Sequence, residues 1–239
     1  MKENNGIAIN LTIPTGWETL TYQEYMDVCK ILCLGYDRDT TLILCLFKLA
    51  KLKWPYKTYN PDAIAGLLPA IKDGQELFLN AATIQLACSQ LSFIYDSVGL
   101  PPCPFPKINR RLYGMPFEKY YETDSYIKRY YDTHKTSFLD HAAAALTDGK
   151  IRKLAGWQHK GILIWWNGLT DYLMKRFPDV LVSNGPISSL NQAELLEELL
   201  SAINDGKPQD NENILRSDTY SVLLTLQKKY HYAKQKSSM

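Results

Sequence analysis

Apolar residues recur at helical spacing along most of this chain, and one stretch near its start alternates instead. Residues 7–13, Ile-Ala-Ile-Asn-Leu-Thr-Ile, follow the period of a half-buried strand, which Pro14 and Gly16 end. With no second strand in the pattern, an N-terminal extended arm or strand is expected, its edge open to docking. Thr21 and Glu24 then have the spacing of a capping box, with Leu20 and Tyr25 placed as a hydrophobic staple. They open a helix over about 21–34, whose Tyr22, Tyr25, Met26, Cys29, Leu32 and Cys33 share a face and which Gly35 closes. A second helix, about 39–52, is apolar nearly all round and therefore central. Asn60 and Pro61 begin a third, ended by Asp73-Gly74. A fourth, about 75–97, carries Leu77, Ala81, Ile84, Cys88, Leu91, Tyr95 and Val98 at alternating spacings of four and three. That is the spacing of a coiled-coil seam or, more simply, of a core-facing stripe.

Pro101, Pro102, Pro104 and Pro106 interrupt the helical pattern and favour an extended linker. The organisation expected is an N-terminal helical domain over 1–98, a proline-rich linker over 99–109 and a C-terminal helical domain over 110–239, or one continuous domain. The second half holds helices at about 124–133 and 136–147, then a strongly amphipathic one at about 157–177, stopped by Pro178. In that last helix Trp166 falls nearer the centre of the apolar stripe and Trp165 nearer its edge. Asn191 and Glu194 cap a further helix, Asp205 to Asn213 reads as a polar loop, and a final helix carries Tyr220, Leu223, Leu224 and Tyr230 before a frayed tail from Lys234. The fold class expected is all-α and bundle-like, with the short N-terminal arm.

Charge and cysteine usage narrow the function classes. Lys plus Arg number 27 against 25 for Asp plus Glu, so the formal net charge of +2 lacks the basic excess of a dedicated nucleic-acid binder. Five cysteines, Cys29, Cys33, Cys45, Cys88 and Cys103, sit among apolar residues in a chain of 239, which suits packed free thiols in a reducing compartment. No apolar run approaches the ~20 residues that span a bilayer, and the start lacks a signal-peptide layout, so a cytoplasmic protein is expected.

Candidate chemistry is sparse. Cys29 and Cys33 share a helix face, but zinc wants four ligands. His134 and His141 stand near Asp132 and Asp140 without any H-E-x-x-H or G-x-S-x-G pattern, and no phosphate-binding loop occurs. No catalytic residue, metal ligand or cofactor site is assigned. The stretch Lys107 to Lys135 interleaves Arg110, Arg111, Lys119, Lys128 and Arg129 with tyrosines. Aromatics and arginine enrich protein hot spots, and they also stack on bases and reach phosphates, although Glu118, Glu122, Asp124 and Asp132 oppose the latter. Ordinary structural core and surface is the first reading of this stretch; if it is a protein interface, Tyr120, Tyr121, Tyr126, Tyr130 and Tyr131 are the expected partner-binding residues.

Three passages carry a family likeness. They are Pro14-Thr15-Gly16-Trp17-Glu18-Thr19-Leu20-Thr21 with its helix, the region from Leu112 to Leu146, and Gly161 to Val182. In the last, Ile164-Trp165-Trp166-Asn167-Gly168 leads to Arg176-Phe177-Pro178-Asp179-Val180. Together they resemble small helical proteins encoded in the tail-gene region of phages and prophages, tail assembly chaperones among them. The proline-rich segment and the tyrosine cluster depart from that pattern. The resemblance implies a non-enzymatic role in which a hydrophobic helical partner, such as a tape-measure protein, is held until tail tube proteins replace it. The chain would act in the host cytoplasm or stay with the virion, and a homo-oligomer is compatible with it. A structural virion component, such as a tail completion or connector protein, is the alternative, and a nucleic-acid accessory role through Lys107–Lys135 is a further one.

Overall fold

The structure, a computed structural model, describes residues 11–54, 67–96, 99–181 and 192–237. The fold is mainly helical, with 63% of the described residues in helix and one antiparallel hairpin among them. It divides into two compact units, residues 1–96 and 97–239.

In the first unit, α1 (Tyr22–Leu32) starts as its sequence dictates. Thr21 and Glu24 bond reciprocally in a capping box, and Leu20 and Tyr25 are both buried. Trp17 packs edge-on against Tyr25 and Phe93, with ring centroids 5.8 and 5.3 Å apart. This pins the entering chain to the core. α2 (Arg38–Leu49), capped by the Asp37 side chain on the Thr40 N–H, buries Leu42, Cys45, Leu46 and Leu49 and packs on α1.

The strands are where the sequence expectations fail. Leu67–Lys72 (β1) and Gln75–Asn80 (β2) form an antiparallel hairpin, not the end of one helix and the start of the next. Asp73 and Gly74, at φ 51° and 83°, make the turn. Asp-Gly between two apolar runs is a hairpin signature, and the same pair had been read as helix punctuation. α3 (Ala81–Gln90) begins only at the Asn80 cap, and a 3-10 turn over Leu91–Ile94 follows. The stripe from Leu77 to Tyr95 therefore runs through strand, helix and turn. The hairpin is also not N-terminal: residues 7–10 of the expected arm lie outside the described residues, and 11–13 carry no strand. The expected cap at Asn60-Pro61 is likewise outside them.

The second unit opens with the proline-rich stretch, which is buried instead of spanning solvent. Leu100, Cys103 and Phe105 are at 5% exposure or less. α4 (Phe117–Thr133) pairs with α5 (Ser137–Leu146), and α6 (Gly156–Arg176) packs on α5 and, through Trp166, on Tyr120 of α4. A Cβ at Gly168 of α6 would lie 2.6 Å from both the Gly99 carbonyl oxygen and Pro101 Cδ, so glycine there lets the helix press on the proline stretch. Trp165 and Trp166 of α6 are both buried, at 0% and 2% exposure, so Trp165, expected at the stripe's edge, lies in the core with its neighbour. The Trp165 indole Nε1 donates to the Arg110 carbonyl at 3.0 Å.

Three further helices complete the unit: α7 (Gln192–Asn204), α8 (Asn211–Arg216) and α9 (Thr219–Ser237). The expected cap at Asn191 lies outside the described residues. The stretch 205–213 is not wholly a loop, since it holds a 3-10 turn over Pro208–Asp210 and the first half of α8. α9 buries Val222, Leu223 and Leu226 and runs on through Lys234, where fraying was expected. Among the described residues no helix is long and apolar enough to cross a membrane.

Candidate binding site

The α4 tyrosines do not form one surface. A helix turns about 100° per residue, so Tyr120, Tyr121, Tyr126, Tyr130 and Tyr131 are spread around α4. Tyr120 faces the core at 7% exposure and stacks on Trp166, with ring centroids 5.6 Å apart. It is removed from the partner-binding set, because its ring is already used in packing. Tyr126 lies 5.3 Å from the His141 ring, and Tyr130 packs on its neighbour Tyr131. Tyr131 is 47% exposed, and its hydroxyl donates to Asn167 Oδ1 at 2.8 Å. Tyr121 is half-buried. The basic residues of this stretch are partly neutralised: Lys119 pairs with Asp148, and Lys128 Nζ is 2.6 Å from Asp124. That weakens the case for a phosphate-reading surface here.

The other candidates separate as well. Cys29 is buried, whereas Cys33, one turn on, is exposed at the end of α1, so the pair is not a set of two core thiols. Burial pushes the Cys45 thiol up to about 12, which leaves it protonated. His134 ends α4 in a left-handed conformation at φ 56°. The histidine with a carboxylate partner is one the pattern did not single out: His159 Nε2 lies 2.9 Å from Asp140 Oδ1, which also accepts from the Leu154 N–H at 2.8 Å. Asp140 thereby ties α5 to the segment entering α6.

A constellation that the local pattern could not show lies where residues 109–116 meet the end of α6 and the start of α9. Leu112 is fully buried at φ 61°, a left-handed conformation costing roughly 1–2 kcal/mol for a residue with a Cβ. Beside the inward Leu112, Arg111 is half-buried and Tyr113 is exposed. The loop is held by Gly114 N–H to Asp218 Oδ2 at 2.6 Å and Thr219 N–H to the Met115 carbonyl at 2.8 Å. Tyr220 Oη donates to Tyr172 Oη at 2.7 Å, and Tyr113 and Tyr220 have ring centroids 4.6 Å apart. A hydrogen bond from the Tyr172 hydroxyl, whose own proton is free to serve Tyr113, helped by Tyr220 and by a hydrogen bond from Arg111, holds the Tyr113 hydroxyl below its ordinary pKa, while burial pushes Tyr220 up. The Arg111 guanidinium lies over the Tyr172 ring at 5.2 Å. Its Nε–H is buried without an acceptor among the described residues. The arrangement presents neutral and charged donors from one aromatic surface, the residue types that enrich interface hot spots. Comparison with protein-family models, curated proteins and solved structures gives no match for this chain.

Proposed function

We propose that the protein acts by binding another protein without turning over a substrate, and that it does so in phage tail assembly, holding a hydrophobic helical partner such as a tape-measure protein. The tail setting comes from the resemblance carried by Pro14–Thr21, Leu112–Leu146 and Gly161–Val182. The binding reading rests chiefly on one observation: the first unit leaves large apolar side chains in solvent. Leu34, Tyr36, Phe78 and Leu86 are each more than half exposed, at 60%, 55%, 51% and 64%. Exposed apolar area of this kind is what a holder of an aggregation-prone helix requires, because burying it on complex formation provides the driving force.

Co-expression with a tape-measure-type protein tests this. The wild-type chain is expected to keep the partner soluble and to co-elute with it. Serine at positions 34, 36, 78 and 86 together should leave helix content unchanged and lower the retained partner at least about tenfold, since interface energy concentrates in a few large side chains. Equal retention by both proteins, or no complex with either, would contradict the proposal.

A further inference from the structure

We propose that Arg111 and the Tyr113 hydroxyl form a carboxylate-binding site that takes an Asp or Glu side chain of the partner protein. The partner's identity as a protein rests on the reading above, whereas the carboxylate chemistry stands on the site itself. Three observations carry it. First, Arg111 is a half-buried cation with no carboxylate in ion-pair reach among the described residues: its covered Nε–H lacks an acceptor there, and its remaining contacts are the neutral Tyr113 hydroxyl and the Tyr172 ring. A half-desolvated guanidinium without a counter-ion is an unbalanced charge that an incoming anion would balance.

Second, the phenols form a directed chain. Tyr220 donates to Tyr172 at 2.7 Å, and Tyr172 in turn serves Tyr113, the outermost of the three at 48% exposure. A hydroxyl that accepts from a neighbour becomes a stronger donor, so Tyr113 is polarised to donate outward beside the guanidinium. Third, the loop conformation places both groups. Leu112 at φ 61° is anchored in the core and Gly114 at φ 76° is held by Asp218, which leaves Arg111 and Tyr113 on either side of the kink. Charge matching selects the ligand class. One guanidinium, with the Asp218 carboxylate close by, suits a monoanion better than a phosphate dianion.

The test is a titration of the full chain with a capped glutamate (both backbone termini neutral), with capped glutamine and inorganic phosphate as controls at constant ionic strength. It is read from the Arg111 Nε–H resonance and the Tyr113 ring resonances. Capped glutamate should give a saturable shift at both groups, and capped glutamine none. Arg111→Lys, which keeps the charge but loses the planar fork, should weaken binding about tenfold as read at Tyr113, and Tyr113→Phe severalfold as read at Arg111. Unchanged melting temperatures for both variants would tie these losses to the site and not to unfolding. Equal responses to glutamate and glutamine, tighter binding of phosphate, or undiminished binding in Arg111→Lys would each overturn the carboxylate site. The co-expression assay separates the two claims. Glutamate binding with no partner held by the wild-type chain sinks the protein-binding reading alone. Glutamate binding with full partner retention by Arg111→Gln removes this site from the partner contact.

Discussion

Single residues decide how tightly the second unit closes. Trp165, fully buried and bonded through its indole N–H to the Arg110 carbonyl, is the larger loss. Trp165→Ala is expected to cost about 3–5 kcal/mol and Trp166→Ala somewhat less, by urea unfolding. A negligible cost at position 165 would mean that α6 is not the packed centre described. Gly168→Ala is expected to destabilise by about 1–3 kcal/mol although alanine favours helix, because the new methyl would overlap the Gly99 carbonyl and the Pro101 ring. Thiol labelling reads burial directly. Cys33 should react at once in the native protein, Cys88 more slowly, and Cys29, Cys45 and Cys103 only on unfolding. Fast reaction of the last three would contradict their placement.

At the scale of elements, what could be read in advance depended on how local the signal was. The Thr21–Glu24 box and the Leu20–Tyr25 staple specify the start of α1 within six residues, and α6 advertises itself through a stripe along its twenty-one residues. α4 was read seven residues short because it begins at Phe117 behind Pro116, with no side-chain cap, and its core stripe includes Tyr120 and Thr123 where leucines would have marked it. The hairpin is hidden because β1, Leu-Leu-Pro-Ala-Ile-Lys, shows no alternation of apolar and polar residues. The binding constellation was illegible for another reason. Arg111 and Tyr113 lie in a loop, Tyr172 on α6 and Tyr220 on α9, and only tertiary packing brings them together. The same holds for His159 and Asp140, nineteen residues apart. Burial pushes the Asp140 carboxyl up, but hydrogen bonds from His159 and the Leu154 N–H outweigh it and leave the pKa below the ordinary 3.8. A carboxylate held low in the folded state contributes stability above its unfolded value, and that contribution is lost as pH falls below it. Asp140→Ala should therefore cost about 1 kcal/mol at pH 7 and progressively less below pH 3.8, by urea midpoints at a series of pH values. An equal cost at all pH values would show that the carboxylate's charge is not what holds α5 to the entry of α6.

For the molecule as a whole, far-UV circular dichroism should be dominated by helix, in line with the 63% in the structure and well above the ~30–35% of ordinary globular proteins. The central claim is that this helical scaffold displays surface for another protein. Hydrogen exchange of the full chain, free and in complex with a tape-measure-type partner, tests it most directly. The account predicts slowed exchange around Leu34–Tyr36, along β2 and into α3 near Phe78 and Leu86, and in the Arg111–Met115 loop, with little change through the middle of α6. Unchanged exchange at all three places would contradict it. So would protection on adding DNA or RNA that vanishes steeply with salt, which would mark the chain as a nucleic-acid binder instead.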